Sequence, residues 1–171
     1  LAGTLPDSVQ TSQDARNILH TKLQYEALNE EEQKTISEET KKTLANALLQ
    51  LPAVEVRTEV TEGVSAPLSA GQEAYLLTGM TAAEAQDLMD GSSERYVVKL
   101  IASAKEQVGD DELAALTPAL NQYQIGSHFD VSIQKEIYFR ADDTEPAVKK
   151  TVNELEIPLD LVFTIPESLM P

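Results

Sequence analysis

Lys135 stands out first in this sequence, because its position conflicts with its surroundings. Between residues 129 and 139 the apolar side chains Phe129, Val131, Ile133, Ile137 and Phe139 recur at every second position, and Lys135 falls in register with them. On a strand, that register puts all six on one face. A buried ammonium is costly there unless it is paired, reaches water along its own stem, or loses its charge. Two readings stay open. In one, that end of the face is wet or Lys135 is salt-bridged. In the other, its Nζ forms an intramolecular amide with Asn153 or Asp160 on the following segment, and Glu154 or Glu156 shuttles the proton. Such an amide would remove the charge covalently and resist unfolding by force.

The remaining chemistry-bearing residues are sparse. Neither His20 nor His128 has a second His or a Cys at a helical metal spacing, so a zinc site would need carboxylates from distant segments. Ser127, His128 and Asp130 are the residue types of a hydrolytic triad, but neighbours on a strand point to opposite faces and do not converge by themselves. A cryptic hydrolase is therefore a remote third reading. The chain contains no nucleophile-elbow, phosphate-loop or dinucleotide glycine pattern. Asp110, Asp111 and Glu112 read as a helix N-terminus, where carboxylates complement the dipole. Asp142, Asp143 and Glu145 read as a solvated loop, since a calcium loop would alternate its oxygen ligands around a turn glycine. The expectation is a protein that is not an enzyme and needs no metal or cofactor.

Composition narrows the partners. A formal net charge of -16 over 171 residues repels phosphate backbones and anionic lipid surfaces. Nucleic acid and membrane insertion are thus poor expectations, and no run of apolar residues is long enough to span a bilayer. With 5 Tyr, 3 Phe and no Trp, flat platforms for sugar rings or bases are few. An apolar fraction of 42% and a mean hydropathy of -0.25 still suffice for a buried core. The absence of Cys suits a cytosolic protein or an exported Gram-positive one. The chain opens on Leu1 and stops just after a strand-like segment, which reads as a piece of something longer.

These residues must be positioned by two kinds of element. Up to residue 52 the period is helical, with Ala15, Ile18, Leu19, Leu23, Tyr25 and Leu28, then Leu44, Ala47, Leu48 and Leu51, at three- and four-residue steps. Asn29 before Glu30, Glu31 and Glu32, and Ser37 before Glu38 and Glu39, supply helix starts. Pro52 ends the last stripe. From Ala53 the period becomes two, with Val54, Val56, Thr58 and Val60 on one face. Ser69–Gln72 and Thr81–Glu84 have the capping-box form, and Gly79 and Gly91 stand where helix C-terminal glycines belong. Further strands are expected around Tyr96–Ile101, over 129–139, and over Leu159, Leu161, Phe163 and Ile165.

The expected fold class is α+β: residues 1–52 form a short helical hairpin or bundle, and residues 53–171 an antiparallel β-sheet or sandwich-like module decorated with short helices. Clean alternation implies one wet face, which argues against a parallel α/β sheet.

Two stretches resemble known modules. Tyr25-Glu26-Ala27-Leu28-Asn29-Glu30-Glu31-Glu32-Gln33, continued by Leu44, Ala47 and Leu51, resembles short helical repeats of large Gram-positive cell-surface proteins. The segment from Pro67 onward resembles an extracellular repeat or Ig-like module of such proteins. That likeness is carried by Gln124-Ile125-Gly126-Ser127-His128-Phe129-Asp130-Val131-Ser132-Ile133-Gln134-Lys135 and by Pro158-Leu159-Asp160-Leu161-Val162-Phe163-Thr164-Ile165-Pro166-Glu167-Ser168-Leu169. In that pattern further strands follow, so the module here reads as truncated. The resemblance implies an extracellular, cell-surface location and a non-catalytic spacer or adhesive role. Its partners would be neighbouring domains of the same chain, and the alternative role is binding a cell-wall or host glycan or a host protein.

Overall fold

The computed structural model describes residues 5–6, 8–105, 109–120, 128–155, 159–164 and 167. In chain order the elements are α1 (Ser12–Glu26), α2 (Glu30–Thr35), α3 (Glu38–Leu49), β1 (Val54–Val60), α4 (Ala70–Leu76), a 3-10 turn (Leu77–Gly79), α5 (Ala82–Asp90), β2 (Arg95–Lys105), α6 (Asp110–Leu120), β3 (His128–Tyr138) and β4 (Val148–Val152). Each early helix starts where a side chain closes its orphan amides. Capping boxes stand at Thr11/Asp14, Asn29/Glu32, Ser69/Gln72 and Thr81/Glu84, and Ser37 accepts from the Thr40 N–H. α5 ends on Gly91, whose φ of 81° is the left-handed conformation that glycine adopts at least cost.

The four strands form one open sheet in the order β1-β2-β3-β4. β2/β3 and β3/β4 are antiparallel, as expected, but β1/β2 is parallel. The reading of β1 as antiparallel is thus corrected. The connection from β1 to β2 carries α4, the 3-10 turn and α5, long enough to return the chain to the starting end of β1. Alternation along β1 reports a wet face, which this sheet has because its helices gather on the other side. A helical layer, and not a second sheet, covers the apolar face, so the sandwich-like expectation is corrected too. Among the described residues the last expected strand forms no ladder, and its Ile165 lies outside them. Leu159, Leu161 and Phe163 are half-buried and Asp160, Val162 and Thr164 exposed, so the alternation is real, but the only pairing described there is a single bridge from Thr164 to Ser65.

Val54, Tyr96 and Ile137 share one row of the inner face, and Leu100 and Ala102 follow on β2. They pack with Ile18, Leu19, Leu44, Leu48, Leu51, Leu76, Leu77 and Met80 in one apolar cluster. That cluster runs across the 51/52 junction. α1 lies against α5, and α3 against α4. The outer face bears Glu55, Arg57 and Glu59 on β1, Lys99 on β2, Gln134 and Glu136 on β3, and Lys149 on β4. No described helix is long and apolar enough to cross a membrane.

Candidate functional site

Lys135 belongs to the inner face of β3, in the row Val56–Val98–Lys135–Lys150. It is 8% exposed, so the residue flagged by its register is buried. Its ammonium donates to both carboxylate oxygens of Glu84, at 2.7 and 2.9 Å, and to the Gly79 carbonyl at 3.1 Å. Glu84 is itself buried in the first turn of α5, and its Oε2 also accepts the Thr81 N–H at 2.8 Å. One carboxylate therefore caps a helix and neutralises a cation on the neighbouring strand.

Lys22 reaches the same corner from the opposite side. It is 2% exposed on α1, and its Nζ donates to the Thr78 carbonyl at 3.0 Å and pairs with Glu26 at 2.6 Å. Its ammonium also lies 5.3 Å from the Tyr25 ring centroid. Thr78 and Gly79 are consecutive residues of the 3-10 turn that ends α4. Helix C-terminal carbonyls lack intrahelical donors and carry the negative end of the dipole, so two ammonium groups complement them in both respects. α1, α4, α5 and β3 thus converge on residues 77–84.

Tyr96, on β2, completes the cluster. Burial, followed by the nearby Glu84 charge, pushes its phenol well above the ordinary range, so the group is neutral. Its hydroxyl feels Glu84 without a hydrogen bond of ordinary geometry.

The outer face holds a second network. Glu136 accepts from the Tyr138 hydroxyl at 2.8 Å and pairs with Lys99 at 3.1 Å and Lys149 at 3.5 Å, while Lys99 also pairs with Glu59 at 2.8 Å. Burial raises the Glu136 carboxyl, but the hydrogen bonds from Tyr138 and Lys99 outweigh it and hold the group below its usual range. Its side chain is only 2% exposed. Arg95 stacks on Tyr138 with its guanidinium 3.8 Å from the ring centroid and donates to the Asp143 carbonyl.

The structure does not bring Lys135 to either expected crosslink partner. Asn153 is exposed just beyond β4, three residues past Lys150, which faces Lys135; that is roughly 10 Å along the strand. Asp160 is exposed, and its backbone carbonyl accepts from the Gln72 side chain. Glu154 is exposed, and Glu156 and Ser127 lie outside the described residues. His20 is exposed, and His128 is half-buried opposite Lys105. Asp110, Asp111 and Glu112 open α6 as expected. No group of three metal-ligating side chains is found among the described residues. Sequence reasoning missed Glu84, which was read only as a cap; a second role was hinted at by its place between Ala83 and Ala85 on a short, mostly apolar helix.

Two openings between α1 and α3, each of about 10 Å³, have room for about one water molecule. A wider cleft of about 160 Å³ lies between α3 and α4, lined by Lys42, Asn46, Gly71, Ala74 and Tyr75. No family model, curated protein or solved structure matches the chain, so its function is argued from its own residues.

Proposed function

We propose that this chain is a non-catalytic structural module, a spacer or display unit, of an exported bacterial cell-surface protein of the Gram-positive type. The observation that carries the reading is the use made of the buried charge. Lys135 and Glu84 are consumed in holding α5 to the sheet, and Lys22 in holding α1 to the turn after α4, with their donors and acceptors directed at one another, at Glu26 or at backbone groups. Catalytic groups are arranged differently: their shifted side chains converge on space that a substrate can enter. The absence of Cys fits a surface module that draws its cohesion from such clamps instead of disulfides. The cell-surface location is supported by the resemblance of Tyr25–Gln33 and of the Gln124–Lys135 segment to cell-surface repeats. Neighbouring domains of the same chain are its first partners.

The test is where the encoded full-length protein resides. Brief protease treatment of intact cells of the encoding organism should release peptides from this segment, detected by mass spectrometry, while a cytosolic marker stays intact. Recovery of the segment only after lysis would overturn the proposal.

A further inference from the structure

β1 forms one edge of the sheet, with β2 on one side and no strand on the other among the described residues. The Tyr96 N–H donates to the Ala53 carbonyl at 2.8 Å, and the Thr61 N–H to the Ala102 carbonyl at 3.2 Å. Odd-numbered residues of β1 therefore direct their backbone groups at β2, and Val56, Thr58 and Val60 direct theirs at the open side. Cover fails along the same stretch. Val54 is buried, but Arg57, Thr58, Glu59 and Val60 are all exposed. Thr58 and Val60 belong to the inner face, and Val60 is 43% exposed, so the helical layer stops short of this end of the strand. Open edges are commonly blunted by lysine, proline, a bulge or an inward-facing charge. β4, the opposite edge, is only 5 residues long and carries Lys149 and an inward-facing Lys150. β1 has neither lysine nor proline, and its register with β2 is unbroken.

We infer that β1 pairs antiparallel with β1 of a second copy of this chain, joining two sheets across a two-fold axis at Thr58. The choice of occupant follows from charge. The outer face of β1 reads Glu55, Arg57, Glu59, alternating in sign, so the strand is complementary to itself run backwards. Centred on Thr58, the pairing sets Arg57 against the partner's Glu59 and Glu59 against the partner's Arg57. An axis at Arg57 would instead oppose Arg57 to the partner's Arg57 and Glu55 to the partner's Glu59, like charges throughout. An axis at Val56 would bring Pro52, which has no N–H, against the partner's Val60 and move the seam to the covered end. With the axis at Thr58, the exposed Val60 meets the partner's Val56. Val56, Thr58 and Val60 then exchange backbone hydrogen bonds with the partner's Val60, Thr58 and Val56. Both charged groups already stand on the outer face, where Arg57 holds Glu55 at 2.8 Å and Glu59 holds Lys99 at 2.8 Å. The seam is narrow and each copy carries a charge of -16, so association is weak. This inference is independent of the spacer role, since a spacer can pair in this way or stay single.

The test is sedimentation equilibrium of the intact chain in about 0.15 M salt, which screens the charges remote from the seam. A monomer–dimer equilibrium with a dissociation constant of roughly 0.1 mM is expected, with no growth beyond the dimer. Arg57→Glu places like charges at both symmetry-related pairs and should weaken the dimer by about tenfold or more. Adding Glu59→Arg to that variant should restore it. Both positions are exposed, so each variant should keep the circular dichroism of the unaltered chain. The sequence has no Cys, so Thr58→Cys reports the axis directly. Its two copies would lie about 5.5 Å apart at Cα, within disulfide reach, and should crosslink far faster than Thr151→Cys on the β4 edge. A chain still monomeric at about 1 mM would overturn the inference. So would growth beyond the dimer, which would mean β1 meeting β4, a double variant no tighter than Arg57→Glu alone, or equal crosslinking at residues 58 and 151.

Discussion

At the scale of single residues, the informative fact is that an apparent error in the pattern was correct chemistry. Lys135 reads as misplaced on an apolar face, and it is buried there because Glu84 and the Gly79 carbonyl meet its ammonium. Its register was legible from the alternation of Phe129 to Phe139. Its partner was not, since Glu84 lies 51 residues away and becomes adjacent only when α5 folds over β3. The capping-box pattern at Thr81–Glu84 explained that carboxylate locally, which hid its second role. Removing one partner leaves an uncompensated buried charge, so Lys135→Met or Glu84→Leu alone should destabilise by about 3–5 kcal/mol. The double variant should recover most of that loss, because an apolar pair of similar volume has no charge to desolvate. Urea unfolding of the four proteins measures the cycle. Additive losses would show that the two groups do not interact.

At the scale of elements, helix starts were the most legible feature. Asn29, Ser37, Ser69 and Thr81 each begin a helix, because a capping side chain acts on amides two or three residues away and needs no tertiary information. Strand direction was the least legible. Alternation along Val54–Val60 records that one face meets water, and it carries no direction. A parallel neighbour with a wet outer face produces the same pattern, because the helices cover a single side. The segment 159–164 failed for a related reason: alternation reports burial, and a half-buried extended chain can pack with Phe163 on Phe129 without a ladder. Thr81 is the element-scale test. Its hydroxyl accepts the Glu84 N–H while Glu84 accepts the Thr81 N–H. Thr81→Ala should cost about 1 kcal/mol for the lost cap. Because the same carboxylate must stay aligned on Lys135, the loss should shrink in a Lys135→Met background. Equal losses in both backgrounds would mean that cap and clamp are independent.

At the scale of the whole molecule, the sequence shows a change of period at Pro52 and the structure shows a continuous interior beneath it. Leu44, Leu48 and Leu51 share one apolar cluster with Val54, Tyr96 and Leu100. Lys22 reaches residue 78 from α1, as Lys135 reaches residue 79 from β3. Periodicity records which face of each element is buried and is silent on what covers it, so this continuity was not readable beforehand. The buried lysines fasten the N-terminal helices, the crossover and the sheet into one cohesive unit suited to a structural role. Native-state hydrogen exchange on the intact chain, followed through low urea concentrations, reads out that cohesion. The most protected amides of α1 and α3 should open with the same free energy and urea dependence as those of β2 and β3, and Lys22→Met should lower the opening free energy of α1 below that of the sheet. Helices that already open well below the sheet in the unaltered protein would contradict it.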